Sequence, residues 1–225
     1  MTLHIFNDLE QGSPEWHDAR RGIITASTVG RFITPKTIKV AANGDTRSMA
    51  YQLVAERITG HTEDTYVSYE MEQGHIIEPI ARDIYSEHYA PATQVGFMVR
   101  DDWGCKIGYS PDGLVGDDGL IEIKKRFAKF HLATILADEV PLEHMAQCQA
   151  ALLVSGREWL DFISYCGGMP LYVKRVLPDP RWHDAILEAV TAFEESAAAM
   201  IANYTVAVEG RPWTERVDTS LEMEF

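Results

Sequence analysis

Cysteine is scarce in this chain of 225 residues: there are three, Cys105, Cys148 and Cys166, far apart and odd in number. Such a set does not make a disulfide framework and cannot supply four thiolates to an iron–sulfur cluster, so a reducing cytoplasm is the expected compartment. Long apolar runs are missing as well. No stretch approaches the roughly 20 residues of a membrane span. The first residues, Met1-Thr2-Leu3-His4-Ile5-Phe6-Asn7-Asp8, lack the basic start and apolar stretch of a secretory signal. Basic charge is in deficit: 20 Lys and Arg stand against 34 Asp and Glu, a net charge of −14. Taken as a sum, that argues against a nucleic-acid partner, because phosphates attract basic surfaces. No internal repeat or low-complexity tract is present.

What remains is an ordinary globular composition, 46% hydrophobic and 24% charged, long enough for one large domain with a sizeable core. The charge is unevenly placed. Residues 19–55 hold six basic residues and one acid, and Lys124, Lys125, Arg126 and Lys129 form a second basic cluster. From residue 183 onward nine acids face two basic residues, so half the net charge lies in the last fifth of the chain. The pattern fits a bipolar molecule, basic where a polyanion passes and acidic outside.

Periodicity and turn residues predict the elements. Residues 14–33 read as helical, with Ser13 as N-cap and Pro14 at the first position, broken at Gly22 and recapped by Thr25 or Ser27 through Phe32. Residues 35–45 read as a polar loop, 48–59 as a helix stopped by Gly60, and 69–89 as a long helix with Ile76, Ile80, Ile84 and Tyr85 inward. Short strands follow at 93–100, 107–109, 113–115 and 119–124, then a helix at 141–154. Strands at 160–166 and 171–176 and an amphipathic helix at 181–204 complete the chain. The order implies an α/β domain with a mixed sheet.

The chemistry concentrates at Ser110-Pro111-Asp112-Gly113 and Leu120-Ile121-Glu122-Ile123-Lys124. Alternate strand positions share a face, so Glu122 and Lys124 point one way and Ile121 and Ile123 the other. Asp112 and Glu122 can offer carboxylates, and Ile123 a backbone carbonyl, to a hard, oxygen-seeking ion such as Mg²⁺. Lys124 can then orient or deprotonate a water, or neutralise charge developing on a phosphate; beside a divalent cation its pKa should be depressed. The apolar neighbours of Glu122 imply burial, which calls for a compensating cation. Read alone, Asp112 could equally be a turn residue and Glu122 and Lys124 a solvated strand face.

Further motifs sit around this pair. They are Glu15-Trp16-His17-Asp18-Ala19-Arg20-Arg21-Gly22-Ile23-Ile24-Thr25-Ala26-Ser27, Gly74-His75-Ile76-Ile77-Glu78 and His144-Met145-Ala146-Gln147-Cys148-Gln149. In this order, over residues 14–155, they resemble the lambda exonuclease family of phage recombination nucleases, within the PD-(D/E)xK nuclease fold. The resemblance implies a restriction-endonuclease-like core, a central mixed β-sheet flanked by helices. It implies a single nuclease domain over 1–225, with an N-terminal helical part (1–68), a catalytic core (69–178) and a C-terminal helix and tail (179–225).

The same resemblance implies roles. Asp112, Glu122 and the Ile123 carbonyl would hold Mg²⁺, or Mn²⁺, with Glu78 reaching a second ion, and Lys124 would be the catalytic lysine. Arg20, Ser27, Ser110 and Gln147 would bind a DNA 5′-phosphate, and Met71 would be a wedge at the terminal base pair. The implied activity is 5′→3′ digestion of one strand of linear double-stranded DNA to mononucleotides. It would leave a 3′ overhang for a single-strand annealing protein, in a bacterial host and from a ring-shaped homotrimer. A structure- or sequence-specific endonuclease of the same fold and a non-catalytic DNA-end-binding module are the alternatives. Taken singly, Arg20 could pair with Asp18 or Glu15, Ser27 could be an N-cap, Glu78 could pair with Arg82, and Trp16 reads as core packing.

Overall fold

The structure, a computed structural model, describes residues 2–63 and 69–217, and the backbone alone for residues 69–75. The first part of the chain runs through β1 (Leu3–Phe6), α1 (Pro14–Arg20), β2 (Ile24–Thr25), a 3₁₀ turn (Val29–Phe32), β3 (Ile33–Thr34), β4 (Lys39–Val40), α2 (Gly44–Thr59) and α3 (Tyr69–His88). Next come β5 (Ala92–Thr93), β6 (Phe97–Arg100), β7 (Ile107–Tyr109), β8 (Gly113–Val115) and β9 (Gly119–Lys125). The chain ends with α4 (Ala128–Ala137), α5 (Leu142–Ser155), β10 (Trp159–Tyr165), β11 (Tyr172–Val176) and α6 (Pro180–Ala207).

Strands order as β11-β10-β9-β8-β5 in one sheet and β1-β6-β7-β2 in another. The five-stranded sheet is mixed, because β9 runs parallel to β10 while the other pairs are antiparallel. Strand β9 has a neighbour on each edge and a burial pattern to match: Gly119 through Ile123 are all buried. Its side chains alternate as the two-residue period requires. Ile121 and Ile123 pack with Ala81, Tyr85, Val115 and Ile163 on one face. Leu120, on the Glu122 face, joins the main core with Leu152, Leu160 and Ile186. Helix α6 buries Ile186, Val190, Phe193 and Ala197 against that core, with Met200 packed beside it, as its periodicity predicts.

Four expectations need correction. Residues 24–28 are not helical: Ile24 and Thr25 pair in parallel with Ile107 and Gly108, and the second short helix expected through Phe32 is a single 3₁₀ turn, Val29–Phe32, with Thr28 rather than Thr25 or Ser27 at its N-cap position. The strand expected at 93–100 is two strands in different sheets, separated at Gly96. A Cβ on Gly96 would collide with the Leu9 and Phe6 carbonyls, so the chain can pass between the sheets there only without a side chain. Of the face predicted for α3, Tyr85 is buried as expected, but Ile76 and Ile80 are 59% and 43% exposed and Ala81 is buried instead, so the buried side is rotated from the predicted one. Helix α4 was not predicted. It buries His131 and Thr134 and exposes Phe130, Leu132 and Leu136, an inverted polarity that a hydrophobic period cannot detect. The His131 ring is bonded to Ser164 Oγ at 2.7 Å and the Pro170 carbonyl at 3.0 Å.

The turn after α1 is locked by Arg57, which donates from Nε to the Gly22 carbonyl at 2.6 Å and pairs in two places with Glu194 of α6 at 2.7 Å each. Gly22 has φ +67, and a Cβ there would approach Arg57 Cγ to 2.5 Å. Among the described residues no helix is long and apolar enough to cross a membrane.

Candidate active site

The segment between β7 and β8 crosses from the four-stranded to the five-stranded sheet and carries Ser110 and Asp112. Asp112 is 8% exposed, and its Oδ2 accepts from the Ile123 backbone N–H at 2.6 Å, which pins the crossing segment to β9. Arg82 of α3 donates to the Asp112 carbonyl at 2.5 Å and to Gln94 Oε1 at 3.3 Å. Glu122 is 1% exposed. Its Oε1 accepts from Lys124 Nζ at 2.6 Å and from Gln147 Nε2 of α5 at 2.5 Å, while its Oε2 is buried without a partner. The cation that burial demanded is therefore Lys124, two residues along the same strand face.

Burial raises the Glu122 carboxyl to about 7; Lys124 pulls it down and Asp112 adds to the rise. Burial likewise raises Asp112 to about 6, against Lys124 and with Glu78 adding. For Lys124, burial works against the charge, but Glu122 and Asp112 outweigh it and the ammonium is held more firmly than usual. The depressed value expected beside a divalent cation is thus not what the protein alone produces. Desolvation, followed by Lys124 and Arg126, lowers His144 to about 4, a sign of a positive field at this end of the site.

A second polar group faces the same space. Arg20 Nη1 donates to Ser110 Oγ at 3.0 Å and Nη2 to Ser27 Oγ at 3.2 Å. Trp16 Nε1 donates to Ser110 Oγ at 2.9 Å, and the Arg20 guanidinium lies 3.9 Å from the Trp16 ring centroid. Thr25 Oγ1 is 3.0 Å from Ser27 Oγ. Arg20 is mostly enclosed, and burial lowers it to about 10 although Glu56 opposes; it keeps its charge at neutral pH. Arg21, not Arg20, pairs with Asp18.

Both groups line one cavity of about 170 Å³ that includes Arg20, Ser27, Ser110, Asp112, Glu122 and Lys124. Glu78 and Gln147 line it too, so the structure brings together every predicted side chain except Met71. The Met71 side chain, like that of His75, lies outside the described residues. Ile123 stands beside the cavity through its backbone, with its side chain in the opposite cluster. Gln147 lies at the carboxylate end, on Glu122.

Sequence reasoning missed Trp16 as a wall of the site, along with Thr25 and Tyr109, whose buried hydroxyl has no partner. Trp16 and Arg20 are four apart on α1, and Thr25 is two from Ser27; those spacings are signals for a shared face. Nothing in the sequence marks Tyr109.

The donor set suits a hard cation: one carboxylate oxygen of Glu122 is a buried orphan, and burial raises both carboxylates even though Lys124 opposes the rise. Among the described residues no three His, Cys, Asp or Glu side chains gather closely enough to hold an ion by themselves. An ion here would therefore need backbone or water oxygens besides Asp112 and Glu122.

This mixed sheet, with an acid entering one strand and a Glu-x-Lys on the next, defines the PD-(D/E)xK nuclease fold. Residues 15–158 match the YqaJ-like viral recombinase domain, and the chain belongs to that family. Among solved structures, the alkaline exonuclease LHK-Exo from Laribacter hongkongensis is 31% identical, with a TM-score of 0.77 over 87% of this chain and 98% of its own. The same protein in complex with dAMP matches equally well. A phage related exonuclease from Haemophilus somnus 129PT is 12% identical at a TM-score of 0.61, over 81% of this chain and 96% of its own, and shares the fold. No curated protein matches the chain.

Proposed function

We propose that the chain is a Mg²⁺-dependent exonuclease that digests one strand of double-stranded DNA from its 5′ end. The observation that carries this reading is the sharing of one small cavity by a buried Asp–Glu–Lys set and an Arg20–Ser27–Ser110 anion cradle. The first suits phosphodiester hydrolysis. The second gives a terminal phosphate a seat beside it, so that a chain end is preferred over a continuous strand. The 31% identity to the alkaline exonuclease LHK-Exo supports the same activity.

In this reading Asp112, Glu122 and the Ile123 carbonyl hold Mg²⁺ (or Mn²⁺), and Glu78, on the cavity wall, serves a second ion. A bound divalent ion would lower the pKa of its water and stabilise charge on the attacked phosphate. Lys124, held protonated by its two carboxylates, places a positive charge where negative charge develops. Gln147 holds Glu122 through Oε1, and the unpartnered Oε2 is the oxygen that would be available to an ion. Arg20 forks around the terminal phosphate, with Ser27 and Ser110 adding directional donors. The family resemblance extends the proposal to a homotrimeric ring that hands its 3′ overhang to a single-strand annealing protein. Light scattering tests the trimer.

The test of the activity uses one plasmid in two forms. With Mg²⁺ the linear form should release mononucleotides from 5′-phosphorylated ends, EDTA should stop the reaction, and a covalently closed circle should stay intact. Cutting of the circle would favour an endonuclease; inertness toward both would favour an end-binding module.

Metal binding should also depend on pH. The folded protein keeps protons on Asp112 and Glu122 up to about 6 and about 7, whereas an unfolded carboxyl loses its proton near 4. Raised folded values mean that the folded state binds more protons over that interval. Stability of the metal-free protein from this pair is therefore present at low pH and falls as pH rises through about 7. Mg²⁺ competes with those protons. Its stabilisation should be small at pH 5 and larger at pH 8, by roughly 5 °C in melting temperature at saturating ion. A Mg²⁺ shift that did not grow with pH would contradict the assignment.

A further inference from the structure

A second hollow, of about 300 Å³, shares Lys124 with the active-site cavity and none of Arg20, Ser27 or Ser110. Its walls include Lys125, Arg126, Phe127, Phe130 and His144. Residues 124–130 hold four cations and no acid, in a chain of net charge −14. The one acid on the wall, Glu143, is engaged by Arg126 at 2.8 Å. Cations and rings alternate: Lys125 Nζ lies 5.2 Å from the Phe127 centroid, Lys129 Nζ 4.6 Å and the Arg126 guanidinium 5.6 Å from that of Phe130.

Phe127 and Phe130 are 54% and 47% exposed, so neither ring is serving the core. Arg126 and Phe130 also line a larger groove of about 810 Å³, whose Lys174, Arg175 and Arg181 are already paired with Asp138, Asp161 and Asp179.

A ligand that answers this surface must present anionic charge and flat apolar faces together. Duplex DNA offers phosphates but hides its base faces within the stack. A single strand offers both, and stacking on exposed rings tolerates any base. We infer that the hollow holds unpaired DNA, the strand that digestion leaves single beside the active-site cavity. The inference rests on the DNA-cleaving reading above and adds the path of the strand that is not cut.

The test is photo-cross-linking in EDTA of the full chain to a tailed duplex, with 5-iododeoxyuridine either in the 3′ overhang or within the paired region. The overhang probe should mark the peptide around residues 125–130, and the paired probe should not. Binding of a fluorescent oligo-dT should weaken roughly tenfold or more in a Phe127→Ala, Phe130→Ala variant with an unchanged melting temperature. Should that variant melt early, Lys125→Glu with Lys129→Glu serves instead and should flatten the salt dependence of binding. Overhang cross-links confined to other peptides, or oligo-dT affinity equal to the parent's in the stable variant, would overturn the inference. Digestion of linear duplex by the parent in Mg²⁺ is scored separately, so a failure of the nuclease reading shows as inertness there and not as a displaced cross-link.

Discussion

Lys124→Ala is expected to abolish strand cleavage, by at least about a thousandfold in single-turnover release of labelled nucleotide. The side chain is the positive partner of Glu122 at 2.6 Å and the strongest charge opposing the buried-carboxylate cost at Asp112. Its loss removes the charge that would meet the developing phosphate charge and leaves two carboxylates to share protons. Metal and DNA-end binding should persist, because neither Asp112 nor Glu122 has been altered and Mg²⁺ itself compensates them. Lys124→Arg should restore little: a planar fork does not replace a compact ammonium packed against one carboxylate oxygen. Cleavage by Lys124→Ala within tenfold of the parent would remove Lys124 from the proposed chemistry.

The second large effect is one of selectivity. Arg20→Ala should lose the preference for a 5′-phosphorylated end over a 5′-hydroxyl end while still cutting both slowly. A hydrogen-bonded charge pair of this kind is worth about 1.5–3 kcal/mol, roughly a 10- to 150-fold loss of discrimination. The effect should exceed that of Ser27→Ala, since Arg20 supplies the charge and the serines supply direction. Arg20→Lys should recover part of the loss: it keeps the charge but cannot bond Ser110 and Ser27 at once as the guanidinium does. Comparing initial rates on the two kinds of end checks this. A variant as selective as the parent would reject the cradle.

Much of the site was legible because strand periodicity is rigid. Glu122, Lys124, Ile121 and Ile123 fall where a two-residue alternation puts them, and their motif partners recur in the order of a known family. What could not be read depends on contacts between distant elements. Trp16 looked like a core residue and is a wall of the cavity, since its indole N–H finds Ser110, 94 positions away. The strand at Ile24–Thr25 looked helical because two residues carry no period of their own and gain a partner only in β7. Ile76 and Ile80 misled by hydrophobicity alone, while the buried side of α3 is set by small Ala81 and by Tyr85, whose hydroxyl reaches Asp161 at 2.8 Å. Helix α4 escaped because its buried positions are polar and its exposed ones apolar.

The two sheets meet at Ser110-Pro111-Asp112, and they are unlike in endurance. Strand β9, clasped by β8 and β10, belongs to the part of a fold that opens last, whereas Arg20 ends the short α1 and Ser27 follows the two-residue β2 at a sheet margin. On the proposed reading, discrimination is therefore the more fragile property. As temperature or denaturant loosens the margin, amide exchange should quicken around residues 16–28 before it does along 119–125. An enzyme partway through that loosening would still cut, but it would have lost its means of telling a chain end from a chain.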